Sequence, residues 1–202
     1  MWIGIDVGGR RKGFHAAAMR PDLQVELRHF QGAAAADHAA DWVEAWRPVA
    51  VAVDCPPTWA EHGRGSRLCE VDFAHAGICG IRYTPDDATA AARTDTYYEW
   101  IEQGQNLFGQ LRDRDVPTLE CFPTASWTQW FNPRGHQRRT QWTRQATREL
   151  VRRGLASVDV RNQDQRDAIA AALTARQAST APRSVMSFGS LVVPCRSSDP
   201  LG

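Results

Sequence analysis

The chain has 202 residues, with 24 basic side chains against 23 acidic ones and a formal charge of +1 at pH 7. That balance excludes a strong global field drawing in nucleic acid or an anionic membrane indiscriminately. The length and a 43% hydrophobic content suit one domain with a sizeable core, and exclude collagenous, coiled-coil and disordered classes.

Residues 2–7 form an apolar strand ending in Asp-Val-Gly-Gly, and a turn through Arg10, Arg11, Lys12 and Gly13 leads to a second strand at 14–19. Pro21-Asp22 makes the next turn, and Leu23, Val25 and Leu27 alternate along a third strand at 23–30. Short turns join these three into an antiparallel meander. Gly32 opens an alanine-rich helix to Trp46, closed by Pro48. The unbroken apolar run at 49–53, V-A-V-A-V closed by Asp54, reads as a strand buried on both faces of a parallel sheet. Residues 55–92 form a long insertion rich in Gly, Pro and charge, of a length that usually serves function, here as a lid over a site. A helix at 95–111 and a fifth strand at 117–121 follow, then short helices at 124–131 and 140–151. An alanine-rich helix at 164–176 and a last strand at 191–194 precede a polar C-terminal tail. The alternation predicts a single α/β domain over residues 1–202.

No leader sequence is visible at the start, and no apolar run reaches the roughly 18 residues that cross a bilayer. The five cysteines (Cys55, Cys69, Cys79, Cys121 and Cys195) are odd in number and widely spaced. They predict reduced thiols in a cytoplasmic protein without membrane contact. His62, Cys69, His75 and Cys79 match the spacing of no common zinc module and read as ordinary loop and helix residues.

The acids carry the chemistry. Asp6 lies inside the first strand, where aspartate is disfavoured and a buried unpaired charge is costly. Asp54 closes the fourth strand and Glu120 the fifth. Parallel strands end on one edge, where open α/β folds bind ligands, so neighbouring first, fourth and fifth strands bring Asp6, Asp54 and Glu120 together. Asp164 and Asp167, three apart, share one face near the start of the last long helix. Such a set repels itself unless a cation neutralises it, and a hard oxygen-preferring ion, Mg²⁺ or Mn²⁺, suits it. Two such ions can activate a water and stabilise a leaving oxygen in phosphodiester cleavage. Each acid also has a structural account: turn stabilisation for Asp6, strand ends for Asp54 and Glu120, a helix N-cap for Asp164.

The motifs G-I-D-V-G at 4–8, V-D-C-P-P at 53–57, E-C-F-P-T-A-S-W at 120–127 and D-A-I-A-A-A-L-T-A at 167–175 resemble domain of unknown function 429. That family is described as predicted nucleases of the ribonuclease H-like fold. The resemblance implies a mixed sheet ordered 3-2-1-4-5, strand 2 antiparallel, with helices on both faces. It implies that Asp6 matches the first-strand aspartate of such nucleases. Asp54 matches the acid ending the fourth strand in the RuvC-like branch, and Asp164 and Asp167 match the paired helical acids. Glu120 departs from that scheme, as a ligand peculiar to this family or a group behind the ligands.

Residues 134–153 hold seven arginines and one acid, with Trp127, Trp130, Phe131 and Trp142 within or just before them. This pattern fits a cationic, aromatic grip on single-stranded nucleic acid. It fits equally an amphipathic helix with solvated arginines and core tryptophans. All basic residues but Lys12 are arginine, which lowers the weight of any arginine-rich stretch. Arg10, Arg11 and Lys12 in the first hairpin, Arg64 and Arg67 in the insertion, and Arg138 and Arg139 are the expected phosphate contacts.

Together these features predict a Mg²⁺- or Mn²⁺-dependent nuclease. Asp6, Asp54 and Asp167 bind the metals and Glu120 and Asp164 add ligands. The alternative is a non-catalytic nucleic-acid-binding or adaptor protein whose acidic site is vestigial. ATP-dependent phosphotransfer, whose domains also open on G-I-D-x-G, needs two such domains and does not fit 202 residues.

Overall fold

In the computed structural model, which describes residues 1–202, the first strand β1 (Trp2–Val7) sorts its side chains by parity. Ile3, Ile5 and Val7 enter one core cluster and Trp2 another, so Gly4 and Asp6 share the face of Trp2. The second and third strands, β2 (Phe14–Met19) and β3 (Val25–Phe30), pair antiparallel, β2 against β1 and β3 against β2. On the other side, β4 (Ala50–Asp54) runs parallel to β1, and β5 (Thr118–Cys121) runs parallel to β4. This is the order and direction that the family resemblance implies: an α/β, ribonuclease H-like mixed sheet. The sheet continues past β5. Leu191–Pro194 (β7) adds parallel to β5, and Val185–Phe188 (β6) closes the edge antiparallel to β7, giving β3-β2-β1-β4-β5-β7-β6.

One face is covered by α1 (Ala35–Trp46) and α4 (Glu99–Asp113), which bury Ala36, Ala39, Val43, Leu107 and Leu111 against the odd residues of β1. The other face carries α5 (Pro123–Phe131), α6 (Arg139–Arg152) and α7 (Gln163–Thr180). The insertion holds two short helices, α2 (Leu68–His75) and α3 (Asp87–Ala91). No helix is long and apolar enough to cross a membrane.

Helix α7 is buried along most of its length, and its alanines allow β1 to lie on it backbone to backbone. A Cβ on Gly4 would sit 2.1 Å from the Ala172 amide nitrogen and 2.2 Å from the Ala168 carbonyl oxygen. No rotamer change relieves a clash with main chain. Gly4→Ala is therefore expected to cost about 3 kcal/mol of stability, the upper range for overpacking, read from urea unfolding. A midpoint equal to the wild type would contradict this packing.

Candidate active site

The β1–α7 contact places Asp6 beside the N-terminal turn of α7, which carries Asp164 and Asp167. The parallel register pairs Asp6 with Asp54 across β1 and β4, on the same face. The four aspartates line one wall of a cleft of about 930 Å³, bordered by the insertion, the β1–β2 turn and the loop before α6. Asp6 is 6% and Asp167 1% exposed, whereas Asp54 is only partly covered and opens to the cleft.

Hydrogen bonds hold Asp167 most firmly. Its oxygens accept from Trp127 Nε1 at 3.1 Å, from Gln163 Nε2 at 3.0 Å and from Arg139 Nη2 at 3.0 Å. Lys12 Nζ lies 3.3 Å from Asp6 Oδ2 and 2.9 Å from Asp164 Oδ1. Asp54 is lowered only by the more distant charges of Arg139 and Lys12. Asp164 does not cap its helix. Asn162 does, its Oδ1 accepting from the Gln165 amide at 2.9 Å, which leaves the Asp164 carboxylate free to face the site.

The electrostatics follow from that crowding. Burial, then the charges of Asp54 and Asp167, hold the Asp6 carboxyl well above the usual range. Burial, then Asp167, push Asp54 up to about 8. Burial also raises Asp167, against the pull of Arg139 and its hydrogen bonds from Gln163 and Trp127. Carboxylates crowded and under-neutralised in this way fit a hard divalent cation, with Asp6 and Asp164 within reach of one ion and Asp54 and Asp167 in the same cleft.

Sequence reasoning overlooks His15. It lies opposite Asp6 in the β1–β2 register, and a side-chain nitrogen of His15 comes close to both Asp6 and Asp164. Because Asn162 Oδ1 is committed as the cap, its Nδ2 donates to His15 Nε2 at 3.2 Å. The neutral ring then carries its proton on Nδ1, 3.9 Å from Asp164 Oδ2. Burial, then His29, lower its pKa to about 4, so the ring is neutral at pH 7, and its buried Nδ1 has no hydrogen-bond partner. The legible signal was the hairpin register: with Val7 opposite Phe14, His15 must face Asp6.

Glu120 stands apart from the aspartates. It is in register with Val53, not Asp54, so the alternation of β5 directs it to the opposite face. Arg67 Nη1 donates to Glu120 Oε2 at 2.9 Å, Arg67 Nη2 donates to Oε1, and Ser190 Oγ donates to Oε2 at 2.6 Å. Arg67, expected on a phosphate, is 7% exposed and also donates from Nε to Glu70 Oε1 at 2.9 Å. Glu70 in turn accepts from the Thr84 amide and hydroxyl. This buried network fastens the insertion to the end of β5.

Of the other expected phosphate contacts, Lys12 and Arg139 reach the cleft wall, while Arg10 pairs with Glu99 and Arg64 with Glu61. Arg11 and Arg138 are exposed outside the cleft, where Arg82 and Arg134 take part in the lining instead. Trp127, Trp130 and Trp142 are buried in the core cluster around α7, with Phe131 packed against it. Arg144, Arg148 and Arg152 face solvent from α6. The amphipathic-helix account of this segment is the one the packing supports.

Two outcomes follow. An aspartate whose folded pKa is raised to about 8 stabilises below its unfolded value, and that stability is lost as pH rises through about 8. Asp54→Asn should thus raise the melting temperature of metal-free protein at pH 8 by about 2–8 °C, for about 1–2 kcal/mol of relieved repulsion. The gain should shrink at pH 4; calorimetry with chelator present reads both. Glu120→Gln should cost about 3–5 kcal/mol in urea unfolding, as for a broken buried pair. Calorimetric Mn²⁺ affinity should stay unchanged in that variant and fall in Asp6→Asn; a loss equal to that of Asp6→Asn would return Glu120 to the ligand set.

Comparison with solved structures finds Thermus thermophilus RuvC at 16% identity, covering 84% of this chain and 89% of that one, with a TM-score of 0.46. T. thermophilus RuvC in complex with a Holliday junction substrate is similar at 15% identity, over 85% and 90% of the two chains, also with a TM-score of 0.46. No curated protein matches. The family described as "Protein of unknown function (DUF429)" matches residues 4–186, and the chain belongs to it.

Proposed function

We propose that the protein is a divalent-metal-dependent nuclease. The observation that carries this reading is the meeting of Asp6, Asp54, Asp164 and Asp167 on one wall of an open cleft. Acids this close cannot all ionise cheaply without a cation, and their oxygens suit Mg²⁺ or Mn²⁺, as one ion or two. Lys12, Arg82, Arg134 and Arg139 line the same cleft, which gives an anionic backbone a place beside the acids. A divalent ion bound here supplies activation of water and neutralisation of the phosphate. The chain's own contribution is positional. Trp127, Gln163 and Arg139 fix Asp167, Lys12 holds Asp6 and Asp164, and Asp54 is left open to the cleft.

The test incubates pure protein and Mg²⁺ or Mn²⁺ with labelled DNA, RNA and branched junctions. Cleavage is expected, and Asp6→Asn should reduce it about 10²–10³-fold, the scale for losing one charge-stabilising group. Cleavage of no substrate, or cleavage undiminished in Asp6→Asn, would overturn the proposal.

One observation favours the rival reading of a nucleic-acid-binding protein with a vestigial site: Lys12 Nζ already sits between Asp6 and Asp164. A vestigial site binds no metal tightly, so a flat calorimetric Mn²⁺ titration would decide for it.

A further inference from the structure

Asp6 and Asp164 differ from Asp167 in what holds them. Asp167 accepts from Trp127, Gln163 and Arg139. The side chains of Asp6 and Asp164 have one partner within bonding distance, Lys12 Nζ, 3.3 Å from Asp6 Oδ2 and 2.9 Å from Asp164 Oδ1. His15 Nδ1 lies 3.9 Å from Asp164 Oδ2, too far to bond, and is buried without a partner. One ammonium therefore serves two acids, and a buried N–H beside them stays unspent.

That ammonium sits on a movable support. The Lys12 backbone is fixed, its amide donating to the Gly9 carbonyl at 2.9 Å and its carbonyl accepting from His29 Nε2 at 2.8 Å. The side chain is 46% exposed and lines the cleft, and a flexible four-carbon stem separates its charge from the main chain. Rotation about that stem takes Nζ into the cleft and leaves β1, α7 and the turn where they are. The ligand atoms of Asp6, His15 and Asp164 lie within 4.8 Å of one another, a gap that a cation bonded to oxygen at about 2.0–2.6 Å spans. Such an ion enters between the two acids that Lys12 Nζ bridges. A divalent ion and an ammonium so close repel each other, and the divalent ion matches both carboxylates where the ammonium matches one.

We infer that Lys12 is the placeholder of this ion position: its ammonium bridges Asp6 and Asp164 in the metal-free protein and swings into the cleft when a divalent ion enters. This rests on the metal-dependent reading and deepens it, naming where an ion enters and which residue gives way. Lys12 is a positioning residue in this scheme, keeping two like charges together until the ion replaces it.

Lys12 is the only lysine of the chain, so ¹³C-labelled lysine reports on this side chain alone. In the metal-free wild type, nuclear magnetic resonance should show distinct shifts for the two Cε protons, as for a held side chain. Mg²⁺, at a concentration that displaces bound Mn²⁺, should merge them into the averaged shift of a mobile lysine. Calorimetry reads the converse. Lys12→Met should bind Mn²⁺ about 10-fold tighter than the wild type, because a like charge has been removed from the ion position. Should that variant fail to fold, the resonance measurement on the wild type decides. An averaged shift before metal is added, distinct shifts that persist with Mg²⁺ bound, or an affinity in Lys12→Met no tighter than the wild type's would each overturn the inference and leave the metal site standing. No Mn²⁺ uptake by the wild type would overturn both.

Discussion

The architecture depends on a contact between two backbones. Gly4 of β1 lies against the main chain of α7 at Ala168 and Ala172, closer than any side chain would permit. Because β1 carries Asp6 two residues on and α7 carries Asp167 one residue before Ala168, the same contact that seats the helix brings their carboxylates to one spot. The alanine content of α7 follows from this requirement. Alanine is the best helix former and the smallest side chain that still gives a buried helix something to pack with.

What that closeness creates, the surroundings only partly neutralise. Four aspartates meet Lys12, Arg139 and the uncharged donors Trp127 and Gln163, and burial outweighs these in raising Asp6, Asp54 and Asp167. Folding leaves this repulsion only partly discharged, which is the physical basis of the proposed cation site. The remainder of the molecule shows the opposite pattern. Arg67, Glu70 and Glu120 are equally buried, yet one guanidinium reaches both carboxylates, and Thr84 and Ser190 donate to them as well. Buried acids held by a cation and by several donors fasten the fold, whereas Asp54, at a cleft with no cation in contact, marks a candidate site.

Much of this was legible in the chain. A mid-strand aspartate at Asp6, a second acid at the end of the V-A-V-A-V run and a pair three apart on a helix point to one edge of the sheet, and that is where they lie. Glu120 escaped for a reason of parity. Strand ends alone do not say which face a residue takes; register does, and β5 pairs Glu120 with Val53 instead of Asp54. The edge strand β6 escaped because V-M-S-F is short and half-covered, formed by pairing with β7 rather than by its own pattern. His15 escaped because a histidine among alanines carries no periodic signal, although the tight β1–β2 hairpin fixed its place opposite Asp6.

The insertion illustrates how the two kinds of buried charge cooperate. A loop of this length costs closure entropy and would sample many positions if tied only at its ends. Arg67 and Glu70 bind it at a third point, to Glu120 at the end of β5 and to Thr84 on its own return path. Ser190, in the turn between β6 and β7, donates to the same Glu120 carboxylate. The strands beyond the five-stranded core and the insertion are therefore locked by one glutamate. That lock lies at the rim of the aspartate cleft, so the insertion's Ile78–Arg82 stretch is held as a fixed part of the cleft lining. A wall fixed at its base loses its conformational freedom on folding, so none of that cost is left for a ligand of the cleft to meet.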